Sequence, residues 1–214
     1  MRKRIFVTAT NTDIGKTYTT KLLLQEYAVR GLKVGAIKLI ETGVDDFAPD
    51  ATTLLETLQR LNSSFKNKKV QDIVPITYSL AASPFVASKK RVLDIKKIEQ
   101  CVAQIEKICD ILVIEGAGGL YVPIDEQYMM IDMITHFRAN ALLVSHCSLG
   151  CINDTLLSEK ALEDKNIKYA TVFNCRDSDE SFASVSEPYF LDTRKKVLKT
   201  ATDIDTLCDV LYNL

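Results

Sequence analysis

The sequence lacks a long hydrophobic run, and it lacks an excess of charge of either sign. No apolar stretch approaches the roughly 20 residues that a membrane-spanning helix needs, and the chain enters a strand-like segment at Arg4 instead of the apolar core of a signal peptide. Against 27 lysines and arginines stand 28 aspartates and glutamates, so no bulk positive field favours binding to a phosphate backbone. We therefore expect a cytoplasmic protein with no membrane and no nucleic-acid partner.

The cysteine and histidine spacings that indicate metal sites or disulfides are also absent from the sequence. The six cysteines include no C-x-x-C pair, and several lie within apolar runs, which is typical of reduced, buried thiols. Only two histidines occur, His136 and His146, and they are too far apart to form a metal pair on one helix. The sequence predicts neither a disulfide nor a zinc site, and it predicts structural roles for both histidines.

The remaining pattern indicates a single α/β domain over residues 1–214. Of these residues, 47% are hydrophobic, enough for one sizeable core. The predicted strands are residues 4–9, 34–37, 111–114, 141–144 and 169–173, and the predicted helices are 16–30, 50–61, 95–108 and 153–166, with loops at 41–49 and 176–186. Gly31 is predicted to end the first helix, and Asp94 to cap the third. This alternation predicts a mostly parallel sheet with helices on both faces, and ligands at the carboxyl ends of its strands.

The first strand and the first helix are joined by a candidate phosphate-binding loop. Residues 10–17, T-N-T-D-I-G-K-T, fit the pattern G-x-x-x-x-G-K-S/T except that Thr10 takes the place of the first glycine. Backbone N–H groups and the positive end of the helix would surround phosphate oxygens. Lys16 would reach the β- and γ-phosphates, and the Thr17 hydroxyl would hold Mg²⁺. The loop predicts a P-loop NTPase-like fold that binds a nucleotide.

A second polar site follows the apolar run 111–114. Glu115 ends that run and precedes Gly116-Ala117-Gly118-Gly119. P-loop proteins often keep an acid at such a strand end to help hold Mg²⁺, and small residues let another group approach the backbone. We interpret Glu115 as a second magnesium-binding candidate.

The run F-V-T-A-T-N-T-D-I-G-K-T at residues 6–17 resembles the F-V-T-G-T-D-T-x-x-G-K-T loop of dethiobiotin synthetases. Four further segments resemble motifs of that family in the same order: Lys38 with Thr42-Gly43, Asp50 at the start of a helix, residues 115–119, and L-G-C-I-N at 149–153. The resemblance runs from residue 4 to about 174. Ala9 replaces the usual glycine, and Thr42 supplies the hydroxyl that a serine usually gives. After about residue 175 the chain is short and divergent and lacks an L-G-x-x-P segment, so the nucleobase preference stays open.

The resemblance implies an enzyme that closes a urea ring. Its substrates are 7,8-diaminononanoate, CO₂ and ATP or another nucleoside triphosphate with Mg²⁺, and the reaction passes through a carbamate and a carbamic-phosphoric anhydride. Lys16 and Lys38 are implied as the catalytic residues. The implied nucleotide site is Asp13, Ile14, Gly15, Lys16, Thr17, Tyr18, Glu115, Gly116, Ala117, Gly118, Asn174 and Cys175; the implied diamine site is Thr12, Lys38, Thr42, Ser83, Gly150, Cys151, Ile152 and Asn153; the implied Mg²⁺ ligands are Thr17, Asp50 and Glu115.

The same resemblance implies a homodimer with the diamine bound at the interface. Residues 150–153 precede a helix, so their N–H groups suit the carboxylate of the diamine. Tyr189 is a further candidate for reaching across such a dimer.

Two other functions fit a phosphate loop. A switch ATPase of the MinD/ParA type would need an extra lysine early in the loop, and residues 10–14 contain none. A synthetase domain related to cobyrinate amidation normally carries an attached glutaminase domain, and we expect this chain to be too short for one.

Overall fold

The fold is a parallel sheet covered by helices, seen in a computed structural model that describes residues 3–193 and 196–214. The elements along the chain are β1 (Lys3–Ala9), α1 (Lys16–Val29), β2 (Val34–Lys38), β3 (Ile40–Thr42), α2 (Pro49–Leu61), β4 (Ile76–Tyr78), α3 (Pro84–Ala87), α4 (Ile95–Glu106), β5 (Ile111–Gly119), α5 (Met130–His136), β6 (Asn140–His146), α6 (Cys151–Asp164), β7 (Tyr169–Asn174), α7 (Phe182–Val185), α8 (Glu187–Asp192) and α9 (Ile204–Asn213). Five strands pair in parallel in the order β2-β5-β1-β6-β7. The predicted fold class is confirmed.

The central strands are buried on both faces. Successive side chains of a strand point to opposite faces, yet residues 5–9 of β1 and 141–145 of β6 are all buried. Helices must therefore cover both sides of the sheet, as continuous apolar strands predict. Across residues 3–193 and 196–214, no helix is both long enough and apolar enough to cross a bilayer.

Both predicted helix-end signals are confirmed. Gly31 has a φ of 83° and follows Arg30, the C-cap of α1, so it takes the left-handed conformation that ends a helix. Its N–H donates to the Ala28 carbonyl at 2.9 Å, and the Leu32 N–H donates to the Tyr27 carbonyl at 3.1 Å. Asp94 caps α4 by accepting the Lys97 N–H at 3.1 Å.

The predicted loop 41–49 is wrong at its start. Ile40–Thr42 forms β3, which pairs in parallel with β4 in a separate two-stranded sheet. Strands of three residues are too short to show a hydrophobic period, so their partner cannot be read from the sequence. The β3 strand leads from Lys38 toward α2 along the carboxyl edge of the main sheet.

The predicted loop 176–186 is wrong at its carboxyl end, where α7 begins at Phe182. The Phe173 ring at the end of β7 lies 5.2 Å from the Phe182 ring and 4.8 Å from the Phe190 ring, measured between centroids. Farther along, α9 packs on α1, and the Tyr27 hydroxyl donates to the Cys208 carbonyl at 3.0 Å. The part of the chain after β7 that the structure describes therefore belongs to the packed structure.

The prediction that the chain has no disulfide is wrong. Cys147 and Cys175 are bonded to each other, with their Cα atoms 4.9 Å apart. They directly follow His146 and Asn174, which are paired in the β6–β7 register. Short-range spacing motifs miss this pair because its members are 28 residues apart and meet only across neighbouring strand ends. The other four cysteines are buried, as predicted.

Candidate active site

The phosphate loop lies between β1 and α1, as the sequence predicts. Gly15 is the N-cap of α1 and has a φ of 98°, a left-handed conformation that favours glycine. Thr10 extends β1 instead, because its N–H donates to the Val144 carbonyl of β6 at 3.0 Å. A threonine fits this first position since the backbone there continues the strand pairing and needs no glycine freedom.

A lysine between two acids forms the floor of the site. The Lys38 Nζ lies 2.5 Å from Asp50 Oδ2 and 2.7 Å from Glu115 Oε1. The Thr17 hydroxyl donates to Glu115 Oε1 at 2.7 Å, and the Thr20 hydroxyl donates to Oε2 of the same carboxylate at 2.8 Å. The end of β2, the middle of β5 and the starts of α1 and α2 supply these groups. The predicted strand end at Glu115 is wrong, because β5 continues to Gly119. The structure thus brings together four predicted site residues and adds Thr20, which the sequence analysis missed.

Glu41 is a second residue that the sequence analysis missed. Its buried carboxylate accepts the N–H of Asp50 at 2.7 Å and of Ala51 at 3.0 Å, so it caps the first turn of α2 from β3. Burial raises the pKa of Glu41, and the two N–H donors oppose this rise. By holding the start of α2, Glu41 sets the position of Asp50 beside Lys38.

Charge and burial shift the pKa values of this cluster in opposite directions. Burial and then the positive charge of Lys38 lower the pKa of Lys16 to about 8. Burial also acts against the charged form of Lys38, but Glu115 and Asp50 outweigh it and raise the Lys38 pKa above its ordinary value. Burial acts to raise the pKa of Asp50, yet Lys38 and the Thr17 hydroxyl bring it below its ordinary value. Lys38 is therefore held as a cation by two acids, whereas Glu115, Asp50 and Asp13 only partly oppose the lowering of the Lys16 pKa, and the Lys16 Nζ donates to the Asn11 carbonyl at 3.5 Å.

A cleft of about 500 Å³ opens above this floor. Eleven of the predicted site residues line it: Thr12, Asp13, Gly15, Lys16, Thr17, Tyr18, Lys38, Thr42, Asp50, Ala117 and Gly118. Arg176, which no motif indicates, also lines this cleft. A second cleft of about 500 Å³ lies on the other side of the loop and includes Ile14, His146, Asn174 and Arg176. Both clefts border the phosphate loop.

Several predicted site residues lie elsewhere in this chain. Gly116 is buried, and a Cβ there would lie 2.9 Å from the Phe6 ring, so its small size serves packing. The side chain of Cys175 is bonded to Cys147. Ser83 precedes α3, outside the residues that line either cleft. Residues 150–153 start α6 and do not line the first cleft; the Cys151 side chain there is fully buried.

The floor residues fit a magnesium ion by their chemistry. Thr17, Asp50 and Glu115 offer hydroxyl and carboxylate oxygens, the hard ligands that Mg²⁺ prefers. Lys38 Nζ already lies between the two carboxylates, so this cluster accommodates positive charge. These residues are the group that would hold Mg²⁺ beside the phosphate loop.

The strand, the loop with Gly15 at the helix start, and the lysine and threonine that follow define a P-loop nucleotide-binding protein. A family model described as an AAA domain matches residues 3–210. An ATP-dependent dethiobiotin synthetase from a Sulfurovum species is 45% identical over 87% of this chain and 89% of its own length. One from Wolinella succinogenes is 35% identical over 99% of both chains. The chain belongs to the dethiobiotin synthetase family.

The fold is also similar to solved structures of partition proteins. A plasmid partition protein from Borrelia burgdorferi has a TM-score of 0.58 and covers 99% of this chain and 96% of its own, at 10% identity. At such a low sequence identity, the similarity shows a shared fold and nothing about function. The likeness to the switch ATPase class is therefore one of architecture.

Proposed function

We propose that this chain converts 7,8-diaminononanoate, CO₂ and a nucleoside triphosphate into dethiobiotin, the nucleoside diphosphate and phosphate. One amine of the substrate takes up CO₂ to form a carbamate. A carbamate oxygen attacks the γ-phosphorus, and the nucleoside diphosphate leaves. The second amine then attacks the carbonyl carbon of the anhydride, phosphate leaves, and the ring closes.

The single observation that carries this proposal is the convergence of Lys16 and Lys38 on one cleft from different elements. Negative charge accumulates where the carbamate meets the γ-phosphate, and preorganised cations in a buried site stabilise such charge. Lys38 is 3% exposed and fixed by Asp50 and Glu115, so its ammonium needs no rearrangement to act. Lys16 is 7% exposed and lines the same cleft at the phosphate loop, and the acids around it do not offset its burial, so phosphate oxygens would be favourable partners for its ammonium.

Mg²⁺ in this proposal is held by Thr17, Asp50 and Glu115. When bound, it offsets the negative charge of the phosphates. The residues of the chain do the remaining work: the loop N–H groups of residues 13–18 bind the phosphates, and Thr12 and Thr42 line the cleft where the diamine would be oriented.

We also propose that a second copy completes the diamine site. Residues 150–153 at the start of α6 line neither of the two clefts at the phosphate loop of their own chain, so they would serve a substrate bound to the partner. Exposed apolar side chains support a dimer: Leu149 is 85% exposed, and Tyr121 and Leu157 are each 64% exposed. Tyr121 and Leu157 line a third cleft, of about 610 Å³, which reaches Thr10 and Asn11 of the phosphate loop.

The test is phosphate release from the purified protein with Mg²⁺, bicarbonate and 7,8-diaminononanoate. ATP, GTP and CTP are compared, and each component is omitted in turn. We expect phosphate release only when diamine and bicarbonate are both present. The rates of release with ATP, GTP and CTP then give the nucleobase preference. Release without the diamine would contradict the proposal and would favour a switch ATPase.

A further inference from the structure

We propose that Arg176, acting with Asn174, is a positioning residue that orients the phosphate loop for triphosphate binding. This inference rests on nucleotide binding at the loop, as proposed above. Asn174 is the last residue of β7 and Arg176 lies two residues beyond it, and both side chains reach a backbone carbonyl of the loop. The Arg176 guanidinium donates to the Asp13 carbonyl, and the Asn174 amide donates to the Ile14 carbonyl at 2.8 Å.

These two contacts control the direction of two N–H groups. In a trans peptide group the C=O and the N–H point in opposite directions. The Asp13 carbonyl shares its peptide group with the Ile14 N–H, and the Ile14 carbonyl shares its own with the Gly15 N–H. Drawing both carbonyls toward β7 therefore turns both N–H groups away from β7. Phosphate loops bind anions through such successive N–H groups.

The loop needs this support because its backbone is irregular. Asp13 has a φ of 58° and Gly15 a φ of 98°, so no regular helix or strand pairing fixes the peptide groups between them. Gly15 also makes room for the support, since a Cβ there would lie 2.1 Å from the Asn174 Nδ2 atom. The glycine of the motif thus allows β7 to approach the loop closely.

Arg176 itself is held in place by its own turn. Its backbone N–H donates to Asp179 Oδ2 at 2.9 Å, and its carbonyl accepts the Asp179 N–H at 2.9 Å. Its side chain lies at the boundary of the two clefts and lines both. From this position it acts on the phosphate end of a bound nucleotide through the loop, for any base.

The test measures the dissociation constants of ATP, GTP, CTP and inorganic triphosphate for Arg176→Met and Arg176→Lys. A hydrogen bond that involves a charged group is lost in Arg176→Met, so we expect affinity to fall roughly tenfold or more, by the same factor for all four ligands. Arg176→Lys keeps one charged donor and should recover part of the loss. Arg138→Met is the matched control: it removes one exposed arginine just before β6, at the opposite edge of the sheet.

Two results would overturn the inference. Unchanged triphosphate affinity in Arg176→Met would mean that the contact with Asp13 does not contribute to triphosphate binding. A loss confined to one base, with triphosphate unaffected, would assign Arg176 to the nucleobase instead. The thermal unfolding midpoint of the ligand-free variants should match the wild type, which separates this role from a structural one. Binding without diamine-dependent phosphate release would refute the proposed reaction and leave this inference intact.

Discussion

At the scale of single residues, the site groups are held in place by contacts from other elements, such as that of Glu41 with the start of α2 and that of Arg176 with the phosphate loop. Lys16 and Thr17 follow a motif with a fixed spacing along the chain, and Glu115 was predicted as an acid that follows an apolar run. Glu41 and Arg176 act on backbone atoms of Asp50 and Asp13, contacts that exist only after folding. No local spacing signals a carboxylate that caps a helix from another strand. The only hint for Glu41 was an acid placed among apolar residues near Lys38.

Proton uptake on nucleotide binding tests the state of Lys16. Burial and the charge of Lys38 lower its pKa to about 8 in the ligand-free protein, and phosphate oxygens beside the ammonium should raise it again. Nucleotide binding should therefore cause Lys16 to take up a proton at about pH 9, where Lys16 of the ligand-free protein is mostly neutral. At about pH 7 Lys16 is already protonated, so it should contribute little proton uptake. Calorimetry in two buffers of different ionisation enthalpy measures this uptake, with Lys16→Met as control. A buffer-independent heat at about pH 9 would contradict the assignment.

The same lowered pKa has a consequence for stability. The unfolded chain keeps the Lys16 proton up to its ordinary pKa of 10.5, whereas the folded chain releases it from about pH 8. Between these two values the unfolded state binds more protons. This group therefore makes the ligand-free fold more stable as the pH rises through that window.

At the scale of elements, long apolar strands and capped helices were predictable, and short elements were not. The burial of residues 111–114 of β5 and 141–144 of β6 on both faces follows from their uninterrupted apolar runs. β3 and β4 have three residues each and depend on each other for their hydrogen bonds. The prediction of no disulfide was wrong for a related reason: the two cysteines of the disulfide meet only through the register of β6 with β7.

Helix α6 gives the element-scale prediction, which concerns the proposed dimer. Leu157 on α6 is 64% exposed, and placing a charge in an apolar interface is costly. Leu157→Lys should yield a monomer by light scattering, keep nucleotide binding, and lose diamine-dependent phosphate release about tenfold or more. Val29→Lys is the control, since Val29 is 83% exposed at the far end of α1 from the phosphate loop. A Leu157→Lys protein with the wild-type mass and activity would refute an interface at this surface.

At the scale of the whole molecule, the alternation of strands and helices was enough to predict the sheet and the edge that carries the site. The segment after β7 was not predictable, because α7 and α8 are short and rest on an aromatic cluster around Phe173. Leu207, Cys208 and Leu211 of α9 are fully buried. Removing the chain after residue 178 would thus expose core surface, so point substitutions such as those at Arg176 are the better probe of this region.

Formation of the carbamic-phosphoric anhydride is the central step of the proposed reaction, and an oxygen isotope tests it most directly. Bicarbonate labelled with oxygen-18 is supplied with the diamine and ATP, the reaction is stopped before the bicarbonate exchanges its oxygens with water, and the released phosphate is analysed by mass spectrometry. A carbamate oxygen attacks the γ-phosphorus in the proposed path, so each phosphate should carry one oxygen from bicarbonate. Phosphate without the label, formed while dethiobiotin accumulates, would contradict the anhydride and with it the roles given to Lys16 and Lys38.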